Sequence, residues 1–99
     1  MKFLALEHET PLAETAGFQP HLKAEALRAW ELYCAGIIRE LYFRPDQHTA
    51  VLVLECASLA EAGQALGTLP LVSAGLITFE IIPLVAYDGF ARLFETGKD

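Results

Sequence analysis

The sequence has little positive charge. Only seven lysine and arginine residues stand against thirteen aspartates and glutamates, which gives a formal net charge of −6 over 99 residues. A protein that binds nucleic acid needs a basic surface to neutralise phosphates, and an anionic membrane attracts the same kind of surface. The composition therefore predicts neither a nucleic-acid partner nor a membrane partner.

Long apolar runs are also absent. The longest have the length of a strand and are interrupted by Glu, Pro or Gly, whereas a spanning helix needs about 18 residues or more. The N-terminal residues turn acidic at Glu7 without a cleavage-site pattern, so we expect no signal peptide. The two cysteines, Cys34 and Cys56, are then expected to be reduced, buried thiols in a cytoplasmic protein.

No motif for a metal or an organic cofactor is present. His8, His21 and His48 are isolated from one another, and neither they nor the cysteines have the spacing of metal ligands. A glycine-rich phosphate loop, a nucleophile elbow and a Ser-His-Asp pattern are missing as well. We therefore predict no metal and no cofactor, which disfavours dinucleotide oxidoreductases, P-loop enzymes and serine hydrolases.

Hydrophobic residues are abundant instead: they make up 54% of the chain, and the mean hydropathy is +0.34. Their spacing predicts one domain over residues 1–99 with the order β-α-β-β-α-β. The strands are predicted over 2–8, 37–43, 49–55 and 76–82, the helices begin near Pro20 and after Ser58, and 10–20 is a connection. This order is that of the ferredoxin-like α+β unit, a four-stranded antiparallel sheet with both helices on one face.

Local signals support the two helices. Gly36 is a natural stop for the first, and Ser58 with Glu61 forms a capping box for the second, which Pro70 ends or kinks. An apolar stripe at helical spacing on the first helix is predicted to pack in the core, with ligand stacking at a pocket mouth as the alternative for Trp30 and Tyr33. It consists of Leu22, Ala26, Ala29, Trp30, Tyr33 and Ile37.

Several strands are apolar on both faces, although the predicted helices cover only one face. We therefore expect self-association into a homodimer or a larger closed assembly through the uncovered face. The C-terminal segment, residues 85–99, contains Tyr87, Phe90, Leu93 and Phe94. Four large apolar side chains are unusual in a free tail, so we expect it to dock, with a subunit boundary as one possible place.

The run from Leu69 to Leu84, with Pro70, Gly75 and Pro83, and the following Tyr87 to Phe94 resemble muconolactone isomerase-like proteins of the dimeric α/β-barrel superfamily. The resemblance implies a dimer with a barrel-like double sheet, sometimes assembled further into rings. It also implies proton transfer on a small unsaturated lactone without metal or organic cofactor. The matching residues are mostly apolar, so they carry over no catalytic residue.

Polar residues within strands are the candidates for chemistry. Strict alternation places Ile38, Glu40 and Tyr42 on one face of the second strand. There, Glu40 is predicted to accept a proton and Tyr42 to donate a hydrogen bond in a pocket, since shielding from water raises the pKa of a carboxyl. The alternative for Glu40 is an exposed edge or an ion pair with a neighbouring arginine.

His8, at the end of the first strand, is the best-placed histidine for acid–base work, because its charge can change near physiological pH. Its alternative role is to satisfy a backbone group. Together with the resemblance, His8, Glu40 and Tyr42 predict a cofactor-free enzyme that moves a proton on a small carbonyl compound or lactone. The alternative is a non-catalytic oligomeric module that binds a metabolite or another protein.

Overall fold

The computed structural model describes residues 1–95. Its strands are β1 (Lys2–Glu9), β2 (Ile38–Phe43), β3 (Ala50–Glu55) and β4 (Ile77–Leu84). Its helices are α1 (Leu12–Ala16), α2 (Leu22–Cys34), α3 (Leu59–Gly67) and α4 (Pro70–Ser73), with 3₁₀ turns at Gln19–His21 and Gly89–Phe94.

The four strands form one antiparallel sheet in the order β2-β3-β1-β4. The two central strands, β1 and β3, come from different halves of the chain, which is the ferredoxin-like arrangement. The predicted fold class is therefore confirmed. Pro83 lies within β4, opposite Phe3. Its missing N–H is tolerated because β4 is an edge strand.

Both long helices pack on the same face of the sheet. Phe3, Ala5 and Leu54 on the strands meet Leu32 of α2 and Leu66 of α3 in one core, and all five are at most 2% exposed. On the opposite face, which we call the open face, no described helix covers the strands. Its apolar side chains are half-buried within the single chain: Leu4, Leu6, Val51, Val53, Ile82 and Leu84.

A β-bulge in β2 changes which of its side chains lie on each face of the sheet, compared with the prediction. Ile38 pairs with Leu54, but Glu40 pairs with Val53, so Arg39 is the extra residue. A bulge adds one residue and shifts the alternation beyond it. Glu40 therefore lies on the open face while Ile38 lies in the core, and the prediction that the two share a face is wrong. Glu40 and Tyr42 do share a face.

The apolar stripe predicted for α2 is only partly the buried side of that helix. Leu32, outside the stripe, is 2% exposed, whereas Trp30 is 61% and Tyr33 46% exposed. The helix is rotated so that Glu25 and Leu32 turn toward the core, and the stripe from Leu22 to Tyr33 lines a cavity. The prediction of core packing is therefore confirmed for Ala29 and Ile37, which pack against the core, and wrong for Trp30 and Tyr33.

Two further details differ from expectation. The connection over 10–20 contains α1 and a 3₁₀ turn, and Thr10 ties it to the sheet because its hydroxyl donates to the Gly75 carbonyl at 2.6 Å. The prediction that both cysteines are buried is wrong for Cys34, which is exposed at the end of α2, and Cys56 is half-buried. The Ser58 cap is confirmed: its hydroxyl accepts the Glu61 N–H at 3.2 Å.

Residues 85–95 of the C-terminal segment are largely exposed in the single chain. Residues 96–99 of the predicted docking tail lie outside the described part. Tyr87 and Phe90 contact each other edge to face at 4.9 Å. Phe90, Leu93 and Phe94 are 68–81% exposed. The radius of gyration is 17.0 Å, against about 13 Å for a compact chain of this length. Within residues 1–95 these three side chains of the segment therefore remain mostly uncovered.

Candidate functional site

A cavity of about 620 Å³ lies between α2, α4 and the helix-covered face of the sheet. Its walls are mostly apolar: Phe18, Leu22, Ala26, Ala29, Trp30, Tyr33, Ile38, Leu41, Tyr42, Phe43, Ala50, Leu52, Leu69, Leu71 and Phe79. Only Glu7, Glu25 and His48 add titratable groups of the acid–base type. A concave apolar site with a few convergent polar groups is the usual form of a small-molecule site.

Glu7 continues the buried side of β1. It follows Phe3 and Ala5 at a spacing of two, so its side chain points toward the helices, and the residue is 9% exposed. Its Oε1 accepts the Ala50 N–H at 2.9 Å. Burial raises the pKa of Glu7, and the Ala50 amide opposes this only in part.

Glu25 faces the same cavity from the first turn of α2. Its Oε1 accepts the Leu71 N–H at 2.8 Å, in the first turn of α4. Burial raises the pKa of Glu25, the Leu71 amide opposes it in part, and the negative charge of Glu7 raises it further. Both carboxyls thus line one cavity, and the charge of Glu7 adds to the effect of burial on Glu25.

This arrangement suits acid–base chemistry. In both Glu7 and Glu25, Oε1 accepts a hydrogen bond from a backbone amide. This bond fixes the side chain and leaves Oε2 for a ligand. When two carboxyls with raised pKa values interact, they titrate as a pair, so one can be protonated while the other is ionised. Such a pair can accept a proton at one point of a substrate and donate one at another.

Aromatic side chains form one wall. Trp30 and Tyr33, neighbours on α2, have ring centroids 5.8 Å apart. Phe43 and His48 stack at 4.3 Å, which holds the imidazole against the cavity wall. The hairpin permits this because His48 has a φ of 55° and its N–H donates to the Arg44 carbonyl at 2.7 Å. The flat walls match a planar ring.

The residues predicted from the sequence lie elsewhere, with one exception. The Tyr42 hydroxyl donates to Glu40 Oε1 at 2.5 Å on the open face, and this bond raises the pKa of Tyr42. Tyr42 also reaches the cavity rim. His8 Nε2 lies 3.5 Å from Glu80 Oε1, also on the open face, but β3 separates His8 from β2. Tyr42 and Glu40 are brought together, and His8 is not.

Residues 1–95 contain neither a metal-binding cluster nor a membrane-spanning helix. No group of three or more His, Cys, Asp or Glu side chains in this range is placed to hold a metal ion. None of the helices described is both long and apolar enough to cross a membrane.

Comparison with known proteins gives matches among solved structures. No family model and no curated protein matches the chain. The crystal structure of muconolactone isomerase superimposes with a TM-score of 0.72 over 100% of this chain and 98% of that chain, at 21% identity. The chain shares the fold of muconolactone isomerase. The resemblance predicted from the C-terminal third is thus confirmed at the level of the fold.

A second solved structure has the same fold. It is 5-chloro-2-hydroxyhydroquinone dehydrochlorinase from Burkholderia phenoliruptrix AC1100, in complex with 2,5-dihydroxybenzoquinone. The TM-score is 0.62 at 17% identity, over 90% of this chain and 98% of that chain. The muconolactone isomerase fold therefore occurs in proteins named for two different reactions, and the reaction of this chain has to be argued from its own cavity.

The raised pKa values make stability depend on pH in a defined direction. Glu7 and Glu25 hold protons more tightly in the folded state, because their pKa values are raised there. Their contribution to the free energy of unfolding is therefore fully present below the unfolded pKa of about 4.5 and is lost as the pH rises through the folded pKa values. We expect Glu7→Gln to lose less stability than the parent protein between about pH 5 and pH 8. Urea unfolding across that range measures it.

Glutamine at position 7 keeps an acceptor for the Ala50 amide, so the difference between the variant and the parent protein reports the titration of the Glu7 carboxyl alone. Glu14→Gln, at an exposed position in α1, is the matched control and should follow the parent protein. Parallel pH profiles for Glu7→Gln and the parent would contradict the prediction.

Proposed function

We propose that this chain is a cofactor-independent enzyme that moves a proton on a small, apolar carbonyl compound or unsaturated lactone. The observation that carries the proposal is the pair of carboxyls, Glu7 and Glu25, facing one apolar cavity with raised pKa values. Raised carboxyl pKa values at a cavity are typical of catalytic acids and bases.

The reaction follows from one ionised and one protonated carboxyl. The carboxylate removes a proton from the carbon next to the substrate carbonyl, and the protonated partner donates a hydrogen bond to the oxygen on which negative charge develops. The proton then returns to a carbon further along the conjugated system, and the double bond moves. One C–H bond breaks, another forms, and both carboxyls return to their starting state.

The fold comparison supports this class of reaction. One relative in fold is named an isomerase, and the other was solved with a quinone, a ring carbonyl compound. These names guide the choice of substrates for this chain, and its own residues supply the acid and the base.

The residues predicted from the sequence form a second candidate site. The 2.5 Å hydrogen bond between Tyr42 and Glu40 favours it, because it pairs a donor with a carboxylate. His8 would join them only from a partner chain. A non-catalytic module that binds a metabolite in the same cavity remains the alternative function; it would bind ligands without exchanging their protons.

For the assembly we propose a homodimer, open to further assembly into a ring, in which the open faces of two sheets meet. The half-buried Leu4, Leu6 and Val53 support this, since pairing would remove them from water. The exposed aromatic tail, 85–95 in the described range, would dock on a neighbouring copy. We place the protein in the cytoplasm, where its two free thiols stay reduced.

Proton exchange in heavy water tests the proposed reaction. We expect the protein to catalyse deuterium incorporation into α-angelica lactone, and its conversion to the conjugated β-isomer, as followed by proton NMR. The rate should exceed that of the protein-free solution by at least about a hundredfold, the lower range for a positioned acid or base. A ligand that binds without exchange or isomerisation, across a panel of small lactones and enones, would favour the binding module.

A further inference from the structure

One titratable side chain of the cavity has no role in the proposed reaction. His48 lines the cavity from the hairpin between β2 and β3, and among the described lining residues it is the only basic one. A histidine can gain or lose a proton near neutral pH. His48 can therefore bring a positive charge to a site whose two acids, Glu7 and Glu25, lie on other elements of the fold.

The backbone holds His48 in a conformation that few residues adopt. Within residues 1–95 it is the only residue other than glycine with a positive φ, at 55°, and such residues cluster at functional sites. Its N–H donates to the Arg44 carbonyl at 2.7 Å, and the Arg44 N–H donates to the Thr49 carbonyl at 2.8 Å. The imidazole stacks on Phe43 at 4.3 Å, so the ring has a defined place at the cavity wall.

The same segment also anchors Glu7. Ala50, two residues after His48, donates its N–H to Glu7 Oε1 at 2.9 Å. The hairpin thus fixes one oxygen of this carboxyl and carries the basic ring along the same cavity. Glu25 is anchored elsewhere, by the Leu71 N–H of α4 at 2.8 Å. The two acids are therefore not equivalent with respect to His48.

We propose that His48 is a positioning residue whose positive charge keeps Glu7 as the carboxylate base and thereby leaves Glu25 as the protonated acid. This role deepens the proposed function and rests on it for the chemistry of the two carboxyls. The electrostatics agree with the geometry. Burial raises the pKa of Glu7, and the Ala50 amide and the charge of His48 oppose this. Burial also raises the pKa of Glu25, and the negative charge of Glu7 adds to the effect.

Other charges around the cavity do not replace His48. The remaining titratable and charged groups are Glu9 and His8 on β1, His21 in the turn before α2, Tyr33 on α2, Tyr42 on β2, and Arg44 and Asp46 in the hairpin. Arg44 and Asp46 bond to each other at 2.7 Å. The charge of Glu9 raises the pKa of Glu7, and His8 lowers it less than His48 does. His48 is thus the strongest positive influence on Glu7 among the side chains.

Two substitutions at this position separate charge from shape. His48→Asn removes the titratable ring, and asparagine tolerates a positive φ, whereas His48→Lys keeps a positive charge. A protonated His48 favours the ionised form of Glu7, so we expect the acid limb of the pH profile of exchange into α-angelica lactone to move to higher pH in His48→Asn. The rate on that limb should fall at least about threefold below the parent rate, and the plateau above it should be unchanged.

The charge-retaining variant and a neighbouring position are the controls. His48→Lys should keep the acid limb of the parent. Gln47→Ala, at an exposed position in the same turn, should keep the whole parent profile. If His48→Asn does not fold by circular dichroism, His48→Gln takes its place.

The ionisation of the carboxyls can be measured without turnover. Titration of the ¹³C signals of the side-chain carboxyls, assigned through Glu7→Gln and Glu25→Gln, should show Glu7 ionising at lower pH than Glu25. The midpoint of Glu7 should rise in His48→Asn and stay unchanged in His48→Lys. Ionisation of Glu25 before Glu7, or a Glu7 midpoint that ignores the loss of His48, would overturn the proposal.

The two readouts separate this role from the proposed function. A shift of both the acid limb and the Glu7 midpoint supports both proposals. In His48→Asn, a rate that falls equally at every pH with an unchanged Glu7 midpoint shows a merely structural role; it overturns the proposal for His48 and leaves the enzyme. Absence of exchange in the parent, with a Glu7 midpoint that still follows the charge at position 48, overturns the enzyme and supports the assignment of charges.

Discussion

Glu25→Gln should lower the rate of proton exchange by about 10²- to 10⁴-fold, the usual contribution of a positioned acid or base. Glutamine keeps the shape of the side chain and can still accept the Leu71 N–H that anchors Glu25. It cannot accept or release a proton. The rate should therefore fall while the fold and the binding of uncharged ligands remain. Heavy-water exchange into α-angelica lactone and Trp30 quenching measure the two quantities on the same sample.

The matched variants decide which face of the sheet carries the chemistry. Glu7→Gln should show a loss similar to that of Glu25→Gln, because both carboxyls face one cavity. Glu40→Gln and His8→Asn should retain the parent rate, since both residues lie on the open face. Loss of activity in these two variants, with full activity in Glu7→Gln and Glu25→Gln, would transfer the reaction to the second candidate site.

The topology was predictable because its determinants are local. The Ser58 cap is set by residues within one turn of it, and glycines with positive φ, Gly36 at 81° and Gly75 at 79°, end helical segments before β2 and β4. Hydrophobic alternation then specified the sheet order through the known geometry of the unit. None of these features needs long-range information.

The facing of β2 was not predictable in this way. Alternation assumes one residue on each strand for each pair, and the extra Arg39 between Ile38 and Glu40 breaks that count. Nothing in the sequence at Arg39 predicts a bulge, because the bulge is defined only by the pairing register of β2 with β3. Glu40 was consequently expected in a pocket beside Ile38, whereas the bulge places it on the open face.

The acids of the cavity could be found from the sequence only in part. Glu7 has a signal, since it lies in step with Phe3 and Ala5 on the buried side of a central strand. Glu25 has a weaker signal, since it lies three residues after Leu22 and four before Ala29, at the edge of the apolar stripe of α2. The stripe lines the cavity and Glu25 points inward beside it, an outcome that depends on how α2 is rotated against the sheet.

The open face gives the prediction with the largest effect on assembly. Val53, at the centre of that face, is opposite Leu4 on β1 and Glu40 on β2. If two open faces meet, Val53→Asp buries a carboxylate in an apolar interface in each copy, at a cost of several kcal/mol per charge. We expect the parent protein to be a dimer or a multiple of it, and Val53→Asp to be a folded monomer, as measured by native mass spectrometry.

The dissociation should be specific to this face. Leu27→Asp introduces the same charge at a position 58% exposed on the outer side of α2, and it should keep the parent assembly. A Val53→Asp protein with the parent mass, or a parent protein that is already monomeric, would contradict sheet-to-sheet pairing. In either case the half-buried side chains of the open face would need another partner, because Leu4, Leu6 and Val53 have no helix above them in this chain as far as residue 95.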